Sequence, residues 1–197
     1  MQVPYIPADA PFSGDQRVWL AGFLAGLHSR AAMGGGAPGA ATNGAAPAPA
    51  LDILFGTQTG NSEELANEAA ALARTRGYAP RVNAMDAFSM NDLSKADRLL
   101  MVVSTYGEGE MPDNGQLFWE ALSASTAPRL DDLNFAVLAL GDTSYEHFCR
   151  AGKLVDTRLE QLGARRTADR LDCDVDYEDV AAAWLDKAIP AAGPAPA

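Results

Sequence analysis

Apolar positions along residues 51–190 follow two alternating patterns. The runs 99–103 (LLMVV) and 135–140 (FAVLAL) are continuously apolar, which is typical of strands buried on both faces of a parallel sheet. Segment 146–163 instead has apolar residues spaced by about 3.6 positions, namely Phe148, Ala151, Val155, Leu159 and Leu162. That spacing predicts an amphipathic helix, so buried strands alternate with helices that cover them.

The same alternation runs through the whole segment. Strands are predicted at LDILFG (51–56), APRVNAMD (79–86), ADRLLMVVST (96–105), LNFAVLALG (133–141) and, weakly, RRTADRL (165–171). Helices are predicted near 61–77, 114–125 and 146–163, with a last one that ends in AAAWLDKAIP (181–190). Strands followed by helices in this way predict an α/β fold with a doubly wound, five-stranded parallel sheet.

The first thirty residues carry a separate amphipathic pattern. Ser13 and Gln16 have the spacing of a capping box, and Trp19, Phe23 and Leu27 recur every four positions. A short helix over 13–30 is therefore predicted. Its apolar face could dock on the rest of this chain or support self-association with a second subunit.

The chain divides by composition into four parts. Seventeen of the residues 31–50 are Ala, Gly or Pro and none is charged, so this segment is predicted to be a linker. The expected organisation is an N-terminal segment at 1–30, the linker at 31–50 and a folded domain at 51–190. Residues 191–197 have the composition of a tail or of the start of another linker.

Charge and cysteine content narrow the class of protein. A formal net charge of −11 disfavours nucleic acid as a partner, while it would suit docking to a basic protein. Cys149 and Cys173 form no metal-binding or CxxC spacing, which fits a reducing compartment, so a cytoplasmic location is expected. No apolar run approaches the roughly 20 residues of a membrane span, and no membrane association is expected.

The loop after the first predicted strand has the residues of a phosphate-binding turn. Hydroxyl and amide side chains surround one glycine at the start of a helix, without Lys or Arg; these residues are Thr57, Gln58, Thr59, Gly60, Asn61 and Ser62. Neither GxxxxGK[ST] nor GxGxxG occurs in this loop. A neutral turn suits a terminal monophosphate that stays bound and is never transferred. The alternative is an ordinary capped turn.

Two more loops follow buried strands. In STYGEGEMPDNG (104–115), Tyr106 stands beside Gly107, and in LGDTSYEHFC (140–149) Gly141 precedes Tyr145. Glycine allows a close backbone approach to a planar ligand, and tyrosine offers a stacking face. Since the carboxyl ends of parallel strands lie at one edge of the sheet, a phosphate site and two aromatic side chains are expected there together.

The sequences of these three loops resemble the FMN-binding, flavodoxin-like domain of the diflavin reductases. Within that group, LGDTSYE and DRLDCDVDYE are most similar to the flavoprotein (alpha) component of NADPH-dependent assimilatory sulfite reductase. The resemblance covers about residues 51–189 and implies a flavodoxin-like sheet with strand order 2-1-3-4-5. Segment 12–27 (FSGDQRVWLAGFLAGL) also resembles the region before the FMN domain of that component.

The resemblance also implies a cofactor and a site. The first loop would hold the FMN phosphate, the second would wrap the ring and the third would cover its other side. The implied FMN-binding residues are Thr57, Gln58, Thr59, Gly60, Asn61, Ser62, Ser104, Thr105, Tyr106, Gly107, Leu140, Gly141, Asp142, Thr143, Ser144, Tyr145, Glu146, His147, Phe148 and Cys149. No catalytic residue and no metal site are predicted.

Electron transfer is the implied function. The chain would accept electrons from an FAD- and NADPH-binding reductase module and pass them to a haem or iron–sulfur protein such as the sulfite reductase haemoprotein. It would be the FMN part of an NADPH-dependent oxidoreductase and would not oxidise NADPH alone. Tyr106 is more similar to cytochrome-reductase members, so another haem acceptor remains an alternative. The resembling enzymes continue into FAD and NADPH domains, so the chain is either an excised domain or a separate carrier.

Other functions have weaker support in the sequence. A non-redox binding module on the same fold remains possible, but the first strand lacks the acidic cluster of an aspartyl-phosphate receiver. A flavin-dependent reductase of small molecules would need an open pocket, which two covering tyrosines disfavour. The acidic run 172–179 alternates like a calcium loop, yet Tyr177 occupies the position of the turn glycine, so an acidic rim is expected.

Overall fold

The structure is a computed structural model that describes residues 47–192. The predicted helix at 13–30 lies outside these residues, as do its possible self-association and most of the predicted linker at 31–50, so the proposed division of the chain stays a prediction. Among residues 47–192 no helix combines the length and the apolar content needed to cross a bilayer.

Strands and helices alternate along the described chain. The strands are β1 (Ala50–Gly56), β2 (Ala79–Ala84), β3 (Arg98–Ser104), β4 (Asn134–Leu140), β5 (Arg165–Arg166) and β6 (Leu171–Cys173). The helices are α1 (Asn61–Thr75), α2 (Met90–Leu93), α3 (Gln116–Ser123), α4 (Arg150–Gln161) and α5 (Glu178–Ala188). Short 3₁₀ turns at Met85–Ala87 and Asp113–Gly115 follow β2 and precede α3.

All strand pairs are parallel, and the order is β2-β1-β3-β4-β5. Asp52 of β1 lies beside Leu99 of β3, and Arg98 of β3 lies beside Asn134 of β4. The predicted flavodoxin-like α/β sheet of order 2-1-3-4-5 is confirmed. The order reverses between β1 and β3, and ligands of such sheets bind beyond the carboxyl ends of the strands at this point.

The sheet is buried on both faces, as the continuously apolar strands predict. Helices α2, α3 and α4 cover one face, where Leu54, Met101 and Val137 are fully buried. Helices α1 and α5 cover the other, where Ile53 and Leu138 are fully buried. Successive residues of each central strand therefore enter opposite cores.

The fifth strand is split, which is a correction to the predicted continuous strand at 165–171. Phe135 of β4 pairs with Arg166 of β5, and Leu138 pairs with Leu171 of β6. Between these two pairs the outer chain has four residues, 167–170, whereas β4 has only two, 136–137. The four outer residues therefore cannot all pair with β4, and the strand is interrupted. Thr167 anchors the break, because both its N–H and its hydroxyl donate to the Phe135 carbonyl, at 2.8 and 3.1 Å.

The helix predicted at 146–163 begins later than expected, at Arg150. Cys149 has φ 54°, a left-handed conformation that a helix cannot include, and it is the N-cap residue. Phe148, assigned from its spacing to the buried helix face, lies in the preceding loop. The short helix Met90–Leu93, which the periodicity did not predict, is capped by Ser89, whose side chain accepts from the Asp92 N–H at 3.1 Å.

Candidate functional site

The loops that follow β1, β3 and β4 meet at one edge of the sheet and enclose a cleft of about 560 Å³. The sequence-predicted residues that line it are Thr59, Asn61, Ser104, Thr105, Tyr106, Gly107, Leu140, Gly141, Asp142, Tyr145, His147, Phe148 and Cys149. The parallel sheet produces this convergence, because it brings the carboxyl ends of neighbouring strands to a common edge.

The first loop (57–62) is a turn built by its own side chains. The hydroxyl of Thr57 accepts from the Gly60 N–H at 2.9 Å, and the Thr57 N–H donates to Asn114 Oδ1 at 2.9 Å. Gln58 is tied to the second loop: its amide nitrogen donates to Asp113 Oδ2 at 3.0 Å, and its oxygen accepts from the Asp113 N–H at 3.1 Å. These contacts fix the turn before any ligand binds.

The start of α1 leaves donors for an anion. Gly60, the N-cap residue, supplies no side-chain cap, and its carbonyl accepts from the Glu63 and Glu64 amides. The N–H groups of Asn61 and Ser62, in the first turn, have no hydrogen-bond partner within residues 47–192. The Ser62 hydroxyl is fully buried and likewise lacks a partner in the described chain. Unpaired buried hydroxyls are costly, so this one fits a ligand oxygen.

The second loop (104–115) begins with a tight hairpin. The Tyr106 N–H donates to the Glu110 carbonyl at 3.0 Å, and the Glu110 N–H donates back at 2.8 Å. Gly107 has φ 52° inside this turn. The hydroxyl of Thr105 accepts from the Ala151 N–H at 3.2 Å, which links the loop to the first turn of α4. The hairpin leaves half of the Tyr106 surface exposed at the mouth of the cleft.

The third loop (140–149) is compact at its base and open at its tip. Asp142 forms the turn: its Oδ1 accepts from the Ser144 N–H at 2.8 Å and its carbonyl from the Tyr145 N–H at 3.2 Å. Tyr145 is 50% exposed, as is Tyr106, and both line the cleft. Two tyrosines thus stand at the mouth of one polar cleft, where a planar ligand could lie against their rings.

The loop after β6 joins the third loop and completes the cleft. Asp174 accepts from the Thr143 N–H at 3.1 Å and from the Thr143 hydroxyl. These hydrogen bonds, with one from the Val175 N–H, lower the pKa of Asp174 because they stabilise the carboxylate. The acids of this run therefore serve partly as loop anchors.

Val175 and Tyr177 line the cleft but were not predicted. Both alternate with acids in the run 172–179, for which the sequence predicts an acidic rim. The alternation of apolar residues with these acids was the sequence pattern that could have indicated a place in the cleft. Partial burial, and then the nearby carboxylates, raise the pKa of Tyr177 above its ordinary value.

Two thiols are buried at this edge of the sheet, and one of them, Cys149, lines the cleft. The Cys149 sulfur is fully buried and lies 3.4 Å from the Ala139 carbonyl oxygen and 3.5 Å from that of Cys173. Burial raises the pKa of Cys149 to about 12 and that of Cys173 to about 11. Both remain neutral thiols at physiological pH, so they pack rather than react.

Seven predicted residues lie beside the cleft without lining it: Thr57, Gln58, Gly60, Ser62, Thr143, Ser144 and Glu146. Thr57 and Gln58 shape the first loop through the contacts described above, and Thr143 fastens the third loop to Asp174. Ser62 is in the first turn of α1, with its hydroxyl buried. That all of these residues, together with those that line the cleft, bind a cofactor stays a prediction.

Comparison with known proteins agrees with this geometry. The model of the flavodoxin family matches residues 53–184. The sulfite reductase [NADPH] flavoprotein alpha-component of Bacillus subtilis (strain 168) is 47% identical over 175 residues, which cover 87% of this chain and 29% of that protein. The chain thus spans less than a third of this relative. The predicted resemblance to these flavoproteins is confirmed.

Two solved structures share the fold. A short-chain flavodoxin associated with a non-canonical PDU bacterial microcompartment has a TM-score of 0.65 and 25% identity, covering 72% of this chain and 94% of that one. The flavodoxin of Streptococcus pneumoniae TIGR4 has a TM-score of 0.63 and 29% identity, covering 69% and 92%. The chain belongs to the flavodoxin family, whose cofactor is FMN.

Proposed function

We propose that this chain binds FMN in the cleft and carries electrons, as the FMN-binding part of a sulfite reductase flavoprotein. The observation that supports this most directly is the combination, in one cleft, of a neutral anion-binding turn and two half-exposed tyrosines. Relatives named as sulfite reductase [NADPH] flavoprotein alpha-component supply the proposed context.

The described residues fit FMN. The unpartnered Ser62 hydroxyl and the adjacent free N–H groups would hold the terminal phosphate, together with Thr59, which lines the cleft. Tyr106 and Tyr145 would lie against the ring. When bound, FMN would supply the redox chemistry, accepting electrons and passing them on singly.

The chain's own groups tune that chemistry by charge and by backbone position. Glu108 and Glu110 are exposed on the hairpin and would disfavour additional negative charge in the cleft, through Coulomb repulsion. Gly107 lines the cleft at φ 52°, where its peptide can offer a hydrogen-bonding group to a ligand. The tyrosines reduce the access of water to the ring.

We further propose two partners. Electrons would come from an FAD- and NADPH-binding reductase module and go to a haem or iron–sulfur protein such as the sulfite reductase haemoprotein. Exposed carboxylates near the cleft, including Glu146 and Asp176, would attract a basic surface, and the 59% exposed Val175 would give it an apolar contact. The free cysteines suit the cytoplasm, where we place the protein.

A reconstituted electron relay tests this function. The FMN-loaded chain is mixed with NADPH, a separate FAD-containing reductase and a haem protein, and haem reduction is followed by absorbance. We expect reduction that requires both the chain and the reductase. The rate should fall as ionic strength rises, because dissolved ions screen the attraction between the acidic surface and a basic partner. The Debye length is about 8 Å at physiological salt.

Two controls make the result interpretable. A mixture without this chain measures direct transfer from the reductase, and the FMN-free chain shows whether the cofactor is needed. If haem reduction is equally fast with the FMN-free chain, the carrier role is wrong. A rate that does not depend on salt would contradict the proposed electrostatic docking but not the carrier role.

A further inference from the structure

Lys153 of α4 holds the end of the third loop in place. Its Nζ donates to the Phe148 carbonyl at 2.7 Å and lies 5.3 Å from the centroid of the Phe148 ring. Phe148 lines the cleft, and a Cβ added to Gly141 would lie 2.9 Å from its ring. One ammonium group thus contacts both the backbone and the ring of a residue in the cleft wall.

Lys153 is itself connected to the edge of the sheet. Its Nζ lies 3.6 Å from Asp172 of β6, which accepts from Arg170 at 2.7 Å. Arg170 and Arg166 both donate to Asp156 of α4, at 2.8 and 2.9 Å. The Asp156 side chain is buried and lies between the two guanidinium groups.

Positive and negative charges alternate along this set of side chains, which joins α4, β5 and β6. The buried carboxylate has two cationic partners, so it is a stable anchor, whereas removal of a partner would be costly. Hydrogen bonding to Asp156 and Glu160 raises the pKa of Arg166, which keeps it charged. The network therefore connects Lys153 to a set of paired charges, and its ammonium group reaches the Phe148 carbonyl beside the helical hydrogen bond from the Lys153 N–H to the Cys149 carbonyl at 3.1 Å.

We propose that Lys153 is a positioning residue for the cofactor cleft, which holds Phe148 and the third loop in the conformation that accepts the flavin ring. The ligand in this statement rests on the proposed function, whereas the hold on the loop is a property of the chain alone. Lys153 does not line the cleft, so it acts through Phe148.

Three variants of the full chain test the proposal. Lys153→Met removes the donor, Lys153→Arg keeps a cationic donor, and Lys187→Met makes the same change at an exposed position of α5. Hydrogen exchange of the amides in 142–149 is measured on the FMN-free proteins, and FMN affinity by fluorescence titration. In Lys153→Met we expect exchange about 10-fold faster and FMN binding about 10-fold weaker, as for a lost charge-assisted hydrogen bond.

Lys153→Arg should recover most of both losses, and Lys187→Met should match the wild type. Equal exchange in Lys153→Met and Lys187→Met would overturn the proposal, whatever the FMN affinities. Faster exchange with unchanged FMN affinity would also overturn it, since the loop's position would then not matter to the ligand. A wild-type chain that binds no FMN would refute the proposed function, while the exchange rates would still show whether Lys153 holds the loop.

Discussion

Gly141 lies against Cys149 so closely that a Cβ on Gly141 would be 2.8 Å from the Cys149 nitrogen and 2.9 Å from its sulfur. This contact joins the two ends of the third loop, at the point where β4 stops and α4 is about to begin. The left-handed Cys149 is the other half of the arrangement, since it turns the chain into the helix. The cleft floor therefore depends on a backbone approach that only glycine permits.

Gly141→Ala should lower stability and weaken cofactor binding together. The added methyl group meets the Cys149 backbone nitrogen, which cannot move aside cheaply, as well as the buried Cys149 sulfur and the Phe148 ring, and the expected loss is about 1–3 kcal/mol of unfolding free energy. Urea denaturation of the FMN-free protein measures it. Gly115→Ala is the matched control, because its Cβ would be no closer than 3.4 Å to a neighbour. Equal stability of the two variants would contradict the close approach.

Ser62→Ala should separate binding from folding. The Ser62 hydroxyl is buried without a partner in the described chain, so its removal should leave the stability of the FMN-free protein unchanged or slightly higher. FMN affinity should nevertheless fall by about 5- to 10-fold, from the loss of one hydrogen bond to a charged group. Riboflavin, which lacks the phosphate, should bind the variant as it binds the wild type. An equal loss for both ligands would place the phosphate elsewhere.

Tyr106→Leu and Tyr145→Leu should each increase the fluorescence of bound FMN, because a ring stacked on the flavin quenches it. The corresponding Tyr→Phe variants are the matched controls, since they keep the aromatic face and lose only the hydroxyl. Steady-state emission at saturating protein measures the effect. If the Phe variants fluoresce as strongly as the Leu variants, stacking is not the role of these side chains.

Stability should decline at alkaline pH partly because of the buried thiols. The pKa of Cys149 rises from an ordinary 9.0 to about 12 in the folded protein, so the thiol contributes fully below pH 9.0 and this contribution is lost as pH rises towards 12. Cys173 acts in the same direction. Unfolding free energies measured across this window should fall less steeply in a Cys149→Ala/Cys173→Ala double variant. Identical slopes would show that the thiols ionise freely in the folded state.

The sequence predicted the central features of the fold, because they depend on simple periodicities. Continuous apolar runs such as 99–103, alternating with amphipathic helices, are typical of strands in a covered parallel sheet, and the loops that follow such strands share an edge. Residues in irregular backbone were harder to predict. Phe148 keeps a helical spacing, yet the left-handed Cys149 excludes it from α4, and no local pattern indicates that conformation.

Charged residues show a similar limit. Asp156 is one acid on an amphipathic helix in the sequence, and only the fold reveals that it is buried between Arg166 and Arg170. The position of Tyr177 in the cleft was missed for the opposite reason, because the surrounding acids favour a loop on an acidic rim. Contacts between distant segments, rather than local propensity, decide these positions.

FMN binding by the full chain is the most direct test of the account. The FMN-free protein is titrated with FMN, riboflavin and FAD, and flavin fluorescence and absorbance are recorded. We predict saturation at one FMN per chain and strong quenching of the flavin fluorescence. Riboflavin should bind more weakly, because it carries no phosphate for the first loop to contact. A chain that binds no FMN, or that binds riboflavin as tightly as FMN, would contradict a flavin cleft with a built phosphate site.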